Sequence, residues 1–388
     1  MIRSALATLS FPRLMRRPVD AARPRPALRD AYDVIVVGGG VRALAIARLC
    51  AANNASVALF APGEIAAAPD ERAWPVVRSA HRDRQRLAVE ARAPKRVLRA
   101  ISRLPLSVPR QVTGCLTLSG SADGVEALTA VAAQAKAVRV DAWMVPAREV
   151  AALSPPLAAG RGLAPALHEQ RAVTVDVDAL ALALAAAAAD AGVGLFPFSP
   201  VATLEREGGA VRGVDLGDRL VGTSAVVLAD DFAAIRLIRE GKGRLSLKRE
   251  ERLFLTTEAG TPYIGPAIVA DDVTLSRDPA GVITASGPAA DDALAERLVA
   301  LAPSLSATPV ASEEPVTVWT GVDGRAQVGA ADIPGLWLAL GFGRDPLSAA
   351  GPAARQIAGL LFDRPVDPAF EPFAPTRRPT VRDRELVR

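Results

Sequence analysis

The stretch YDVIVVGGGVRALAIARL, residues 32–49, decides how this chain is expected to fold. Its run DVIVV at 33–37 is typical of a strand buried on both faces of a parallel sheet, and helical spacing follows from residue 42. A second buried strand is predicted at 56–61, which completes a βαβ unit of about thirty residues. The stretch therefore predicts the first unit of a Rossmann-like α/β fold.

The glycines in this stretch form the pattern G-x-G-x-x-G/A, made by Gly38, Gly40 and Ala43, with Gly39 between the first two. The first glycine allows a tight turn, the second lets the backbone approach a pyrophosphate, and the small third residue lets helix and strand pack closely. Free amides at the helix start then face the phosphates. The pattern therefore predicts the strand–turn–helix of a dinucleotide fold and leaves open whether a cofactor is bound there, with Arg42 either at a phosphate or in solvent.

The end of the second strand lacks the usual ribose anchor. Dinucleotide sites place an acidic residue about twenty residues after the glycines. Ala61 stands there in this chain, and it has no group that accepts a hydrogen bond from a ribose hydroxyl. Glu64 lies three residues later, beyond Pro62 and Gly63, and we interpret it as a solvated loop residue.

The composition excludes several classes of protein. The chain has 388 residues, half of them hydrophobic, which is enough for a large core and more than one domain. Its net charge is only +4, and much of it lies in residues 1–30 and 375–388. There is no zinc-type spacing and no aromatic–basic interleaving, so we expect neither a metal site nor nucleic-acid binding.

The two cysteines, Cys50 and Cys115, lie far apart, and we interpret Cys50 as a small buried apolar residue. A disulfide framework is not expected, which favours a reducing, cytoplasmic compartment. The most apolar stretch, residues 178–196, is short and interrupted by Asp190, so we expect no membrane span. The first thirty residues, rich in proline and arginine, are interpreted as an extended arm that docks on a partner.

The pattern changes after residue 235. From Arg236 to about Val316, short alternating strands with one helix at 291–303 predict an antiparallel sheet, and a buried strand at 335–343 with a closing helix returns to the first pattern. We therefore predict an FAD/NAD(P)-binding Rossmann-like domain with an interleaved antiparallel substrate domain. The predicted divisions are an arm at 1–30, the Rossmann-like domain at 31–90, 151–235 and 317–365, the substrate or cap domain at 91–150 and 236–316, and a tail at 366–388.

Several stretches together resemble the beta subunits of heterotetrameric sarcosine oxidases, which belong to the D-amino-acid oxidase type of flavoenzyme. They lie at 27–63, 72–82, 108–120, 140–157, 168–181, 335–343 and 361–377. The resemblance implies FAD, oxidation of secondary or tertiary amines by hydride transfer to flavin, and alpha-like and small partner subunits. It also implies a second flavin between the alpha and beta subunits.

The resemblance and the glycine turn together place the FAD contacts along most of the chain. The candidate cofactor-binding residues are Gly38, Gly39, Gly40, Arg42, Ala43, Ala61, Arg72, Arg78, Ser79, Val201, Ala229 and Gly343.

Other positions depart from the family pattern at the flavin. The glycine-rich loop that hugs the flavin is AAAP at 66–69, where alanine adds a Cβ and proline removes a donor. Two hydroxyl positions are Trp74–Pro75, and a tryptophan there would fill space that a flavin ring needs. The strand beside the adenine is followed by Asp230–Asp231, whose carboxylates would repel a pyrophosphate.

The anchors of the flavin chemistry also differ. The histidine that carries the covalent flavin should fall six residues after Arg171, at Val177, and His168 is out of register, so we expect no covalent FMN. The family lysine near the flavin corresponds to Ser348, and two of its glycines correspond to Asp345–Pro346. In an active enzyme, substitutions should not accumulate at the cofactor-binding positions while the pattern of buried apolar residues persists. The departures therefore favour a subunit kept for its shape.

Two further alternatives concern single residues. His81 lies beside the retained Arg78 and Ser79 and is either a base or, as we prefer, a surface helix residue among charges. Asp176 and Asp178 are interpreted as helix-start residues and not as a metal pair. The sequence assigns no catalytic residue.

Two functions remain open on the sequence. The favoured one is a divergent beta-like subunit with a degenerate flavin site and a structural role in an amine-oxidising complex. The alternative is an active FAD-dependent oxidoreductase that oxidises a secondary or tertiary amine or amino acid.

Overall fold

The structure is a computed structural model, and it describes residues 26–66, 74–158, 163–240, 245–260, 263–289 and 294–377. Most of the predicted N-terminal arm, Arg72 and the last eleven residues lie outside this part of the chain.

The strands of the described residues are, in chain order, β1 Val34–Val37, β2 Val57–Phe60, β3 Val76–Val77, β4 Arg110–Val112, β5 Cys115–Leu118, β6 Ala142–Val145, β7 Ala166–Glu169, β8 Val173–Val175, β9 Gly194–Phe196, β10 Thr203–Glu207, β11 Ala210–Asp215, β12 Leu220–Gly222, β13 Val226–Leu228, β14 Leu247–Thr257, β15 Ala267–Ala270, β16 Val273–Arg277, β17 Ile283–Pro288, β18 Val310–Gly321, β19 Gln327–Ala330 and β20 Leu336–Leu340.

The helices are α1 Val41–Ala51, α2 Arg84–Glu90, α3 Ala93–Ile101, α4 Ala122–Ala137, α5 Ala147–Leu153, α6 Pro155–Ala158, α7 Val177–Asp190, α8 Asp231–Glu240, α9 Leu294–Leu301 and α10 Leu347–Leu361, with 3-10 turns at Pro303–Ala307 and Pro368–Phe373. None of the described helices is long and apolar enough to cross a membrane.

The predicted Rossmann-like core is confirmed as a six-stranded sheet of order β19-β20-β13-β1-β2-β9. β1 runs parallel to both of its neighbours, β13 and β2. Val34 and Val36 pack on one face with side chains of α1, α7 and α10, while Ile35 and Val37 pack on the other face. Burying each such side chain contributes about 1.5–3 kcal/mol, which explains the continuous apolar run.

The predicted second sheet is present, with eight strands in the order β18-β14-β17-β16-β15-β5-β7-β6. Neighbouring strands are antiparallel except β15 and β5, which are parallel. The prediction of short strands is wrong for β14 and β18, which have 11 and 12 residues. Each side of the long β14 is paired, with β17 and β18, and this mutual pairing sustains the length.

The prediction that strands begin at Arg236 is also wrong, because this residue lies inside α8. Ala234, Leu237 and Ile238 are buried on one face of that helix, a three-to-four-residue spacing that the alternating-strand interpretation overlooked. Asp230 accepts a hydrogen bond from the Ala233 amide (2.7 Å) and so stabilises the start of the helix.

The predicted domain boundaries stay a prediction, although the sheets cut across them. β7 was placed in the Rossmann-like domain, yet it pairs between β5 and β6 in the eight-stranded sheet. β18 likewise spans the predicted boundary at residue 316. Pairing between residues far apart in sequence determines these positions, and the local pattern does not report it.

Local predictions elsewhere are confirmed. Asp176 caps α7 through a hydrogen bond from the Ala179 amide (2.9 Å), and Gly192 follows the helix with a φ of +86°. Cys50 and Cys115 are both buried free thiols, and burial raises the pKa of each to about 12. These thiols are inert packing groups.

Candidate cofactor site

The glycine turn joins β1 to α1 at the carboxyl edge of the parallel sheet, where dinucleotide folds bind their ligand. Gly38 has a φ of +136°, and a Cβ on it would lie 3.2 Å from both the Ala229 carbonyl and the Ala43 Cβ. Gly40 is the extended N-cap residue of α1, which begins at Val41. The turn therefore needs glycine at its first position and a small residue at its last, as predicted.

The loop after β2 folds back onto this turn. The Ala66 amide donates to the Gly39 carbonyl at 2.9 Å, and a Cβ on Gly39 would lie 3.0 Å from the Ala61 Cβ. Ile65 and Ala66 are buried, and Ala66 has a left-handed φ of +63° despite its Cβ. The first residue of the AAAP stretch thus packs against the turn, while residues 67–69 lie outside the described residues.

Ala61 contributes packing and backbone hydrogen bonds at the end of β2. Its amide donates to the Phe196 carbonyl (3.1 Å), and its carbonyl accepts from the Ser199 amide (2.8 Å), which ties it to the loop after β9. Glu64 is exposed, as interpreted from the sequence.

Arg42 lies at the pyrophosphate end of the predicted site and is only 4% exposed, so its solvated alternative is wrong. Its Nη2 lies 3.4 Å from Asp231 Oδ2, and its guanidinium carbon lies 4.8 Å from the centre of the Phe342 ring. Asp231 Oδ1 also accepts from the Gly341 amide at 2.8 Å. A carboxylate of the chain therefore provides the negative charge that a phosphate would bring to Arg42.

The remaining candidates near this end act through their backbones. The Ala229 amide donates to the Val37 carbonyl (2.9 Å), and the Gly343 amide donates to the Trp319 carbonyl (2.8 Å) with a φ of +69° at Gly343. Val201 is buried, and its carbonyl accepts from Arg236. Their assignment to cofactor binding stays a prediction.

The flavin-ring end of the predicted site contains a buried ion-pair cluster. Arg78 donates through Nε and Nη2 to Asp345 Oδ2 at 3.2 and 2.9 Å, and Arg86 Nη1 donates to Asp345 Oδ1 at 2.9 Å. One carboxylate thus pairs with two guanidinium groups from separate segments. Asp345 is 1% exposed and Arg78 is 6% exposed, so the pairing is largely shielded from water.

Glu90 and His81 extend the cluster. Arg86 donates to Glu90 at 3.0 and 3.3 Å, and His81 Nε2 lies 2.6 Å from Glu90 Oε2 outside good hydrogen-bond geometry. His81 is 3% exposed and precedes α2, so its interpretation as a surface helix residue is wrong. The burial of His81 was not predicted, because the charged side chains around it are themselves buried in the fold and do not face solvent.

The charges of this cluster are mutually compensating. Burial would raise the pKa of Asp345, but Arg86 and Arg78 outweigh it and hold that pKa far below its usual range. Burial would also raise the pKa of Glu90, and Arg86 and His81 lower it. Burial, followed by Arg86, lowers the pKa of His81, which is therefore neutral at pH 7. Arg78 and Arg86 then face Asp345 and Glu90, and Arg344 adds a further positive charge that acts on Asp345.

Another buried carboxylate, that of Glu169, holds the backbone that follows Arg78. Glu169 accepts from the Ser79 amide (2.8 Å) and the Ala80 amide (2.9 Å), and burial raises its pKa. The Ser79 hydroxyl donates to the Ala91 carbonyl (3.2 Å). Arg86, Glu90 and Glu169 were not predicted as site residues, although the Arg86–Glu90 spacing of four residues is a signal for a helical ion pair.

Ser348 and Trp74 occupy the other positions that depart from the family. The Ser348 hydroxyl is fully buried and accepts from the Arg78 amide at 3.0 Å. Trp74 is also fully buried, packs in an apolar cluster with Cys115, and lies with its ring 5.8 Å from the Arg78 guanidinium carbon. Its Nε1 has no hydrogen-bond partner among the described residues.

The two positions connected with the covalent flavin lie in different elements of the fold. Val177 is the first residue of α7, where the resemblance placed the histidine. His168 is buried in β7, in edge-to-face contact with Trp143 at 5.2 Å, and lies in a different sheet from the glycine turn.

The described residues do not fit a flavin ring. Arg78 and Arg42 already have carboxylate partners. A flavin ring would therefore have to displace the ion pairs, although the glycine turn itself retains the form of a pyrophosphate site.

Solved structures with the same fold include several amino-acid oxidoreductases. A glycine oxidase from Geobacillus kaustophilus has a TM-score of 0.79 at 20% identity, over 90% of this chain and 100% of that chain. L-proline dehydrogenase from P. horikoshii has a TM-score of 0.82 at 17% identity, over 90% of this chain and 98% of that chain. L-amino acid deaminase from Proteus vulgaris has a TM-score of 0.79 at 15% identity, over 92% of this chain and 99% of that chain. At these identities the likeness establishes the fold.

The family comparison covers most of the chain. The family model DAO, described as FAD dependent oxidoreductase, matches residues 33–360. No curated protein gives a significant match. The matched range begins just before β1 and ends within α10, so it includes both large sheets. This chain therefore belongs to the DAO family of FAD-dependent oxidoreductases.

Proposed function

We propose that this chain is a divergent beta-like subunit of an amine-oxidising complex, similar to the heterotetrameric sarcosine oxidases, and that it contributes structure and no flavin chemistry of its own. The observation that carries the proposal is the Asp345 carboxylate between Arg78 and Arg86. By resemblance, this is where the family has a glycine and flavin contacts.

The energy of the ion-pair cluster supports this proposal. Removing one partner from a buried ion pair costs about 3–5 kcal/mol, because it leaves a charge without compensation. A flavin ring that entered here would separate Asp345 from Arg78, both of which are almost completely buried. The cofactor would have to offset this cost before contributing any net affinity.

The chemistry of the complex follows from the family. The solved structures of this fold are named as a glycine oxidase, an L-proline dehydrogenase and an L-amino acid deaminase. We infer a small amine or amino acid as the substrate of the complex, with the flavin held by an alpha-like partner and small subunits completing the assembly.

The second candidate function is an active FAD-dependent oxidoreductase that oxidises an amine or amino acid. The intact glycine turn favours it, since Gly38, Gly40 and Ala43 keep the geometry that admits a pyrophosphate. The two candidates differ in whether the isolated chain binds flavin.

The visible absorption spectrum of the purified protein, alone and with co-expressed partner subunits, tests the proposal. We expect a colourless chain that copurifies with a flavin-bearing partner. Stoichiometric flavin absorbance in the isolated chain, released on denaturation, would establish the second candidate. In that case Gly40→Asp, which adds a Cβ and a negative charge at the pyrophosphate approach, should remove the colour, and Gly63→Asp on the same side of the sheet should not.

A further inference from the structure

A groove of about 500 Å³ lies far from the glycine turn in sequence, between the C-terminal end of α4 and strand β6. Ala132 and Ala142 provide apolar lining, Lys136 and Arg139 lie along its rim, and Trp143 lines it from β6. We call this feature the β6 groove. It combines apolar surface, an aromatic side chain and positive charge in one place.

The β6 groove runs along a sheet edge. β6 is the last strand of the eight-stranded sheet, and β7 is its strand partner among the described residues. The Gln170 amide donates to the Asp141 carbonyl (3.0 Å). Because backbone groups alternate in an antiparallel pair, those of Trp143 then point toward β7 and those of Met144 point outward. The outward groups are a template for another strand.

Trp143 offers a rigid apolar contact beside this edge. Its side chain is 42% exposed, and it meets the His168 ring edge-to-face at 5.2 Å and 71°. Val138, in the loop just before β6, is 40% exposed. A tryptophan already held in place loses little freedom on binding, which is why such residues dominate the energy of many interfaces.

The charge along the rim of the groove favours a partner with negative charge. Lys136 and Arg139 are exposed, and neither forms an ion pair within the described part of the chain. Asp141 is neutralised by Arg171, whose Nε lies 2.6 Å from its carboxylate. Arg139 has a left-handed φ of +57°, an uncommon conformation for a residue with a side chain. The rim therefore has a net positive charge that complements carboxylates.

We propose that the β6 groove binds an extended acidic segment of a partner protein. The segment adds a strand to the outer edge of β6, places an apolar side chain against Trp143, and brings carboxylates beside Lys136 and Arg139. The site is independent of the flavin site, so this inference does not depend on whether the chain binds flavin.

The test titrates the full-length protein into two fluorescein-labelled synthetic peptides, one of alternating glutamate and valine and one of alternating lysine and valine, and follows fluorescence anisotropy. We expect saturable binding of the acidic peptide, about tenfold or more tighter than that of the basic peptide. Arg139→Glu should weaken it about tenfold, whereas Arg103→Glu, a charge reversal at an exposed position after α3, should leave it unchanged.

A second pair of variants tests the geometry. Met144→Pro removes an outward amide and should abolish binding, and Trp143→Ser should weaken it without altering the sheet edge. Circular dichroism melting checks that each variant folds. Absent binding, equal affinity for both peptides, or binding that Arg139→Glu and Trp143→Ser leave unchanged would overturn the proposal. A dimer in sedimentation that Trp143→Ser dissociates would overturn it in favour of a second copy of this chain.

Discussion

The two ends of the predicted flavin site differ in what occupies them. At the glycine turn, Gly38 and Gly40 keep the backbone shape of a dinucleotide fold. At the other end, Arg78 and Arg86 pair with the buried carboxylate of Asp345. The turn depends on backbone geometry that the sheet itself requires, whereas the ring end depends on side chains. The backbone shape of a cofactor fold can therefore persist while the side chains at the other end of the predicted site pair with one another.

The largest expected effect is at the ring end. Asp345→Ala leaves the buried Arg78 and the partly buried Arg86 without their shared acceptor and should lower the free energy of unfolding by about 3–5 kcal/mol. Urea unfolding measures this. Asp141→Ala, which breaks a largely exposed pair with Arg171, is the matched control and should change stability by about 0–1 kcal/mol. Equal losses of stability in the two variants would show that the Asp345 cluster contributes no more than an exposed ion pair does.

A smaller effect is expected at Asp231, which pairs with Arg42 beside the glycine turn. Asp231→Ala removes the partner of Arg42 and the acceptor of the Gly341 amide and should cost about 2–4 kcal/mol. The same denaturation experiment applies, with Arg42→Ala/Asp231→Ala as the double variant. If the pair matters, the double variant loses less than the sum of the two single variants.

The glycine turn should respond to steric change. Gly38→Ala places a Cβ 3.2 Å from the Ala229 carbonyl at a φ of +136°, and we expect a loss of about 1–3 kcal/mol. Gly63→Ala is the control, because a Cβ there meets no atom within 4 Å. If Gly38→Ala leaves the free energy of unfolding unchanged, the turn is free to relax and is not held by the sheet.

The smallest effect is a dependence on pH. His81 has a lowered pKa in the folded state, so below about pH 6.5 the unfolded chain binds the proton more readily and stability falls, by up to about 1.4 kcal/mol per pH unit. Asp345 and Glu90 have lowered pKa values, so their contribution is lost only at lower pH, below their unfolded values of about 4.

Urea midpoints between pH 7.5 and pH 5 check this dependence. His81→Asn should flatten the curve across that window, while His168→Asn removes the other histidine, which is less deeply enclosed, and should flatten it less. A curve that His81→Asn leaves unchanged would place the titrating group elsewhere.

The local elements were predictable because their causes are local. The buried run before Gly38, the helical spacing of α10 and the capping carboxylate of Asp176 each act within a few residues. The start of α8 was missed although its residue spacing and its Asp230 cap are local signals, whereas the burial of His81 was missed because it depends on packing against distant segments. The resemblance located the departures at Asp345 and Ser348, but it did not indicate their partners.

The sequence by itself determined the strand–turn–helix at 34–51 and the parallel sheet, because apolar periodicity and the glycine pattern are properties of short stretches, and the resemblance located the positions that depart from the family pattern. Only the tertiary structure decided what the residues at those positions contact. Arg78 and Asp345 are 267 residues apart, and Arg42 and Asp231 are 189 apart. Their pairing arises because the sheets bring separate segments to one edge, where buried opposite charges must compensate each other.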